Sequence, residues 1–289
     1  MRNLDEYNIT AETVRRIENT PDSRLQEIMT SLIEHLHDFA REVELTEAEW
    51  LYGIQFLTRT GHLCTDIRQE FILLSDTLGL SQLVVAQNHS RPAGVTEQTV
   101  FGPFHVEGAP HRAPHGVDIA VGIEGIPLFV TARVLSDRRP VIGALVDVWQ
   151  ADAAGFYDVQ DPEWEMSQAR LRAVFETDSD GRFSYKTILP KSYPIPTDGT
   201  VGEMLAATRR SPMRPAHIHF RIDKPGYDML TTHVFVDGDE YLDSDAVFGV
   251  RQSCIGNYVR HDAGVAPDGS TVDHPFYTLD YSFSLEPQD

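Results

Sequence analysis

The segment Leu128-Phe129-Val130-Thr131-Ala132-Arg133-Val134-Leu135 decides the fold of the larger part of this chain. Its β-branched and aromatic residues favour an extended strand, because such side chains pack well on a pleated surface. On both sides of this segment, further short apolar runs are separated by Gly and Pro residues. Further strands are predicted at Val141–Trp149, Arg182–Ile188, His217–Ile222 and Leu230–Val236. Many short strands with such turns between them predict an antiparallel β-sandwich.

The first hundred residues follow a helical period instead. Apolar residues recur at intervals of three and four at Leu25, Ile28, Met29, Leu32, Ile33, Leu36 and Phe39, which predicts one face of an amphipathic helix. Thr46 and Glu49 have the spacing of a capping box ahead of a second helix that carries Trp50, Ile54 and Leu57. A third stretch carries Ile67, Phe71, Leu74 and Leu78 and ends at Gly79. We therefore predict an α+β protein, with a helical domain over residues 1–95 and a β-sandwich domain over residues 96–289.

The helical stripes and the charge of the chain bear on its partners. The stripes either pack on one another or on the neighbouring domain, or they form a dimer face or a lipid-binding groove. The 24 basic and 44 acidic residues give a net charge of −20, which repels nucleic acid and anionic membrane surfaces. No apolar run approaches the roughly 18 residues of a membrane span, and no apolar leader follows Met1, so the cytoplasm is the expected location. Cys64 and Cys254 lie far apart and are expected to be reduced thiols.

The segment Arg214-Pro215-Ala216-His217-Ile218-His219-Phe220 is the sharpest local motif. Alternate residues of a strand point to the same face, so His217 and His219 aim two imidazoles at one point. The pair alone is compatible with zinc, copper or iron, or with two unrelated histidines. Tyr157 follows a predicted strand, and Tyr193 precedes Pro194, which favours an extended backbone at the tyrosine.

Together these motifs resemble the intradiol ring-cleaving dioxygenases over essentially the whole chain. The resemblance rests on a helical N-terminal part followed, in family order, by Val100-Phe101-Gly102-Pro103-Phe104, Gly155-Phe156-Tyr157, Tyr193-Pro194-Ile195-Pro196 and the Arg214–His219 segment. It implies an Fe(III) ion held by Tyr157, Tyr193, His217 and His219. It also implies a β-sandwich catalytic domain and a homodimer built through the N-terminal helices. Some members carry a phospholipid at that helical interface, so a bound phospholipid is a further partner to consider.

The physical chemistry of the implied ligands agrees with this resemblance. Phenolate is a hard anionic oxygen donor that suits Fe(III), and a tyrosine with an ordinary pKa of about 10 ionises at neutral pH only beside a cation. Fe(II) oxygenases typically use two histidines and one carboxylate instead. By the same resemblance Tyr193 accepts a proton from the substrate, and Arg214 stabilises the charge that develops on the ring.

His233 is a departure, because many catechol-type members have glutamine at that position. It either faces the site or hydrogen-bonds within the sheet. Together with Asp76 and the segment 241–250, His233 makes the chain most similar to the hydroxyquinol 1,2-dioxygenases within the family. That similarity implies cleavage of 1,2,4-trihydroxybenzene by O₂ to 3-hydroxy-cis,cis-muconate, a tautomer of maleylacetate. The implied pocket walls are Leu73, Asp76, Val100, Phe101, Gly102, Pro103, Phe104, Ile195, Pro196, Arg214 and Val247.

Three alternatives accompany this prediction. Catechol or chlorocatechol 1,2-dioxygenase activity is the close alternative within the family. A non-catalytic β-sandwich that binds a metal or another ligand and a zinc hydrolase that uses the two histidines belong to other classes. Both of these leave Tyr157 and Tyr193 without a role, and neither requires Arg214.

Overall fold

A computed structural model describes residues 3–65, 68–161 and 163–288 of the chain. It divides into two compact units, Met1–Arg59 and Thr60–Asp289. The helices are α1 Ile9–Arg16, α2 Ser23–Glu42, α3 Glu47–His62, α4 Glu70–Thr77, α5 Leu80–Asn88 and α6 Thr200–Ala207. Within the described residues, no helix is long and apolar enough to cross a membrane.

The helical prediction for the N-terminal part is confirmed in its local details. Thr46 and Glu49 form the predicted capping box, in which the Glu49 amide donates to the Thr46 hydroxyl and the Thr46 amide donates to the Glu49 carboxylate. Gly79 adopts a φ of +78° between α4 and α5, a left-handed conformation that glycine takes without strain. Ile67, a member of the predicted third stretch, lies outside the described residues. The predicted domain boundary near residue 95 stays a prediction.

The apolar stripe of α2 faces solvent in the single chain. It comprises Leu25, Ile28, Met29, Leu32, Leu36 and Phe39, and all six side chains are exposed. On α3, Trp50, Leu51, Ile54 and Leu57 are exposed as well. A contiguous exposed apolar face of this kind marks an interaction surface more often than a free surface.

The strands form two six-stranded layers and two short ribbons. Their bounds are β1 His111–Arg112, β2 Val117–Asp118, β3 Pro127–Ser136, β4 Arg139–Pro140, β5 Leu145–Trp149, β6 Arg172–Glu176, β7 Arg182–Ile188, β8 Tyr193–Pro194, β9 Met213–Arg214, β10 His217–Asp223, β11 Leu230–Val236, β12 Ile255–Gly256, β13 Tyr258–His261, β14 Gly264–Val265, β15 Thr271–Val272 and β16 Phe276–Ser284. One sheet has the order β1-β6-β5-β10-β11-β12, and the other has β13-β16-β3-β7-β2 with β4 beside β3. The sandwich prediction is therefore confirmed.

Two details of the strand prediction are wrong. The sheets are mixed and not purely antiparallel, since β1–β6, β2–β7, β11–β12 and β16–β3 pair in parallel. Parallel partners lie far apart in sequence, so turn signals between neighbouring strands do not reveal them. The predicted strand Val141–Trp149 also begins only at Leu145, because Gly143 adopts a φ of +67° in a turn after β4.

The core between the two sheets determines which face of β10 carries the site. Ile218, Phe220 and Ile222 belong to that core and are almost completely buried. Successive strand side chains alternate, so His217 and His219 point to the opposite face of the sheet. That face is covered by the loop that follows β5 and by the β8–β9 ribbon.

Candidate metal centre

The two histidines converge across neighbouring strands as their spacing predicts. On β10, His219 stands opposite Trp149 of β5 and opposite His233 of β11. The Nε2 atoms of His217 and His219 are 3.1 Å apart, and both rings are buried. The Trp149 indole stacks on the His219 ring, with centroids 4.6 Å apart and planes 11° from parallel. This packing restricts the rotation of the His219 imidazole.

A tight turn after β5 brings Tyr157 to the same point. The Asp152 amide donates to the Phe156 carbonyl, and Gly155 adopts a φ of +89° within the turn. A Cβ atom at Gly155 would lie 2.8 Å from the Cβ of Tyr193, so the close approach of the two tyrosine segments requires glycine here. The Phe104 ring stacks on Tyr157 with centroids 4.5 Å apart.

The ribbon β8–β9 supplies the second tyrosine. Tyr193 of β8 pairs directly with Arg214 of β9. The Tyr193 hydroxyl lies 3.2 Å from the Tyr157 hydroxyl, which in turn lies 2.9 Å from Nε2 of His219. The four predicted donor atoms therefore form one continuous buried cluster, on Tyr193, Tyr157, His219 and His217.

The electrostatics of this cluster suit a bound cation. Burial raises the pKa of the Tyr157 phenol well above its ordinary value of 10. Burial and the charge of Arg214 lower the pKa of His217 to about 3, and burial lowers the pKa of His219 well below 6.5. Both imidazoles are therefore neutral at pH 7 and offer lone pairs. His217 donates its Nδ1 proton to the Pro215 carbonyl at 2.7 Å, so its Nε2 lone pair faces the cluster.

A metal ion fits this arrangement. Nitrogen and oxygen ligands of one small cation are themselves about 3 Å apart, because each lies about 2 Å from the ion. The three distances that link the cluster are 2.9, 3.1 and 3.2 Å. His217, His219 and His233 also form a group that could hold a metal ion, with ligand atoms within 4.8 Å of one another. The cluster is therefore compatible with a bound metal ion.

His233 lies beside the cluster, and its side-chain hydrogen bond goes to Thr99, which is not part of a strand. Its ring faces the cluster, with its centroid 4.3 Å from that of His219 and 4.7 Å from that of His217. Its Nδ1 atom hydrogen-bonds with the Thr99 hydroxyl, and its buried Nε2 atom has no hydrogen-bond partner among the described residues. Thr99 was not singled out in the sequence, because a lone threonine carries no signal of such a contact.

Arg214 is not a surface residue. Its side chain is 4% exposed and pairs with the equally buried carboxylate of Asp245. Its Nη1 atom donates towards Nε2 of His217 at 3.4 Å. The role of Asp245 was missed in the sequence, although it lies in the 241–250 segment that carries the family resemblance. The available signal was an aspartate followed directly by three apolar residues and a glycine, Ala246-Val247-Phe248-Gly249.

The predicted pocket walls differ in burial. Val100, Ile195, Arg214 and Val247 are buried, Leu73, Asp76, Gly102 and Phe104 are half-buried, and Phe101, Pro103 and Pro196 are exposed. Gly102 adopts a φ of +78°, and a Cβ there would lie 3.1 Å from Cε1 of His219. Burial raises the pKa of Asp76, whereas a hydrogen bond with Ser81 and the charge of Arg214 lower that pKa, and the charge of Asp245 adds to the rise. Asp76 therefore lies in the same electrostatic field as the Arg214–Asp245 pair.

Two cavities lie near this cluster. One, of about 300 Å³, is lined by Ile123, Asp152, Phe156, Tyr157, Asp158, Gln160, Asp161, Arg170 and Leu171. The other, of about 500 Å³, is lined by Arg210, Ser211, Leu242, Asp243, Ser244, Asp245, Phe248, Val250 and Arg251. Neither cavity includes the predicted wall residues.

Comparison with known proteins places the chain in one group. A model described as "Dioxygenase" matches residues 100–287, and a model described as "Catechol dioxygenase N terminus" matches residues 22–96. The chain is 56% identical over 288 residues to a 6-chlorohydroxyquinol 1,2-dioxygenase of Cupriavidus pinatubonensis, covering 99% of both chains. It is 46% identical to a hydroxyquinol 1,2-dioxygenase of Nocardioides simplex, covering 98% of this chain and 96% of the relative. A solved hydroxyquinol 1,2-dioxygenase from Pseudomonas putida DLL-E4 matches with a TM-score of 0.91 and 48% identity, covering 98% of this chain and 99% of that one.

Proposed function

Because this chain belongs to the intradiol ring-cleavage dioxygenases, we propose that it opens hydroxyquinol with O₂ to 3-hydroxy-cis,cis-muconate in the breakdown of aromatic compounds. The observation that carries this proposal is the similarity over nearly the whole chain to relatives named as hydroxyquinol 1,2-dioxygenases, at 46, 45 and 44% identity. The half-buried carboxylate of Asp76 supports the same substrate, because it offers a hydrogen-bond acceptor for the additional hydroxyl. The chlorinated analogue is a second candidate, since the relative at 56% identity is named for it. Catechol and chlorocatechol remain the alternatives.

The resident metal in this proposal is Fe(III), held by Tyr157, Tyr193, His217 and His219. The buried cluster of two phenols and two neutral imidazoles supports it, because two phenolates offset much of the charge of a ferric ion. A ferric ion held there supplies the Lewis acidity that keeps the diol ionised and makes its ring reactive towards O₂.

The protein side chains supply the remaining chemistry. Tyr193, at the end of the donor cluster, takes the proton that the diol loses on binding. Nη1 of Arg214 lies 3.4 Å from Nε2 of His217, at the edge of the cluster, and stabilises negative charge that develops on the ring, a preorganised electrostatic effect. Beside the same cluster lies Nε2 of His233, which has no hydrogen-bond partner in the described part of the chain. The burial of all these groups excludes water, which strengthens each electrostatic interaction.

Metal content and colour test the iron proposal. The purified protein should be red, from tyrosinate–Fe(III) charge transfer, and should contain one iron per chain. A zinc-loaded colourless protein that is fully active would contradict the proposal. With labelled O₂ both atoms should appear in the ring-opened diacid, and accumulation of a yellow semialdehyde would indicate extradiol cleavage instead.

The substrate preference rests on Asp76. Hydroxyquinol has one hydroxyl more than catechol, and a buried hydroxyl needs a hydrogen-bond acceptor such as a carboxylate. Replacing Asp76 by Ala should lower kcat/KM for hydroxyquinol roughly 5- to 150-fold, which corresponds to the loss of about 1–3 kcal/mol for one buried hydrogen bond. The kcat/KM for catechol should change much less. Asp243→Ala, which removes an exposed carboxylate, is the control and should leave the ratio of the two substrates unchanged. If the wild type prefers catechol, the substrate proposal is wrong; if only the mutant ratio is unchanged, the role of Asp76 is wrong.

The exposed apolar face of α2 and α3 is the proposed homodimer surface, with a phospholipid as a further candidate occupant. Its support is the row of exposed residues on α2 and the family resemblance. Sedimentation should give twice the chain mass, and Leu32→Glu together with Leu36→Glu should produce monomers. Organic extraction followed by mass spectrometry tests for the lipid.

A further inference from the structure

We propose that Asp245 is a positioning residue that sets the orientation of the Arg214 guanidinium, an inference that rests on the proposed dioxygenase function. Arg214 Nε donates to Asp245 Oδ1 at 3.1 Å, and Nη2 donates to Oδ2 at 3.5 Å. Both side chains are at most 4% exposed. The two contacts use one edge of the planar guanidinium and fix its plane.

In this pairing, different nitrogen atoms of the guanidinium contact Asp245 and the donor cluster. Nε and Nη2 are engaged by Asp245, while Nη1 is the donor that approaches Nε2 of His217 at 3.4 Å. Rotation of the guanidinium would break both contacts with Asp245 before it could move Nη1 away from the donor cluster. Asp245 therefore determines where the positive edge of Arg214 points.

A small turn holds the Asp245 carboxylate in place. The Gly249 amide donates to Oδ2 at 2.9 Å, and the Val247 amide donates to Oδ1 at 3.3 Å. The Ala246 amide donates to the Met213 carbonyl at 3.0 Å, so the turn is fastened to β9, the strand that also carries Arg214. The backbone segments that carry the two partners of the ion pair are thus hydrogen-bonded to each other.

Two backbone features show that the turn is shaped around the carboxylate. Phe248 adopts a φ of +59°, a left-handed conformation that costs a phenylalanine free energy. A Cβ atom at Gly249 would lie 3.1 Å from both Arg214 Nη2 and Asp245 Oδ2, which is tighter than ordinary contact. The same turn carries Val247, a predicted pocket wall, so Asp245 links the arginine to the substrate side of the site.

The test is a double-mutant cycle on hydroxyquinol turnover, with Asp245→Asn, Arg214→Gln and the double variant. Asp245→Asn keeps the size of the side chain but removes its charge. We expect Arg214→Gln to lower kcat by roughly 100-fold and Asp245→Asn to lower it by roughly 10-fold, with KM changed by less than about threefold. In the Arg214→Gln background, Asp245→Asn should cause less than about a twofold further loss, because residues that act as a unit are not additive. Asp243→Asn, an exposed residue of the same segment, is the charge-matched control.

Three further measurements and one further variant separate positioning from a merely structural role. Iron content, the visible band and thermal unfolding are recorded for every variant, and the first two should be retained in Asp245→Asn. If Asp245→Asn fails to fold, Arg214→Lys decides the matter, since a lysine keeps the charge but cannot be held at two points. Arg214→Lys should then lose nearly as much kcat as Arg214→Gln.

Three results would overturn the inference. They are full kcat in Asp245→Asn, an equal loss from Asp245→Asn in both backgrounds, or near-normal kcat in Arg214→Lys. Failure of the proposed function is distinguishable, because it would appear as a wild-type protein that does not open hydroxyquinol.

Discussion

Gly102 offers a quantitative test of how closely the loop before β1 packs on the metal centre. Its φ of +78° lies in the left-handed region, which costs an alanine about 1–2 kcal/mol. Its Cβ would also lie 3.1 Å from Cε1 of His219, a few tenths of an ångström inside ordinary contact. Gly102→Ala therefore carries a backbone cost and a steric cost, and the steric cost falls on a proposed iron ligand.

Gly122→Ala is the matched control, because Gly122 has a φ of +76° and, its two chain neighbours aside, no described residue comes within 4 Å of the position of its Cβ. Gly122→Ala should lose about 1–2 kcal/mol of unfolding free energy in urea titrations, and Gly102→Ala should lose more, because it adds the steric cost to the same backbone cost. Only Gly102→Ala should also shift the visible band and lower iron retention during dialysis against a chelator, since its alanine pushes the His219 ring. If the two variants behave alike in iron retention and spectrum, the Gly102 backbone does not support the His219 imidazole and the reasoning is refuted.

Further predictions concern the site and its surroundings. Tyr157→Phe should bleach or shift the visible band while the protein stays folded, and an unchanged spectrum would exclude Tyr157 as a ligand. Burial raises the pKa of Asp76 above its ordinary 3.8, so the carboxylate is lost at a higher pH than usual as the solution is acidified. The ratio of kcat/KM for hydroxyquinol to that for catechol should accordingly decrease as the pH is lowered past the raised pKa of Asp76. Asp76→Asn should abolish this pH dependence. Thr99→Val removes the hydroxyl that hydrogen-bonds His233 and should cost about 1–3 kcal/mol of unfolding free energy, measured in urea, whereas no loss would mean that water replaces it. Removing the metal should lower the thermal midpoint, and adding Fe should restore it, because an ion that binds only the folded state stabilises it.

Local periodicity explains how much of the site was predictable. The alternation of a strand is a property of neighbouring residues, so His217 and His219 could be assigned to one face from their spacing alone. The capping box at Thr46 and the glycine at residue 79 are likewise decided within a few residues. The family motifs added Tyr157 and Tyr193, which no periodicity would have joined to the histidines.

The tertiary structure alone decided which distant residues meet. Asp245 is 31 residues from Arg214, and their pairing depends on a turn that folds back onto β9. The parallel pairing of β16 with β3 and the truncation of the predicted Val141–Trp149 strand depend on the path of the chain in the same way. Spacing in a sequence determines which way a side chain points, whereas its partner depends on where the rest of the chain passes. The sequence by itself therefore determined the helices, most of the strands and the residue types of the proposed centre, whereas the packing of the sandwich and its loops decided that a buried aspartate would pair with Arg214.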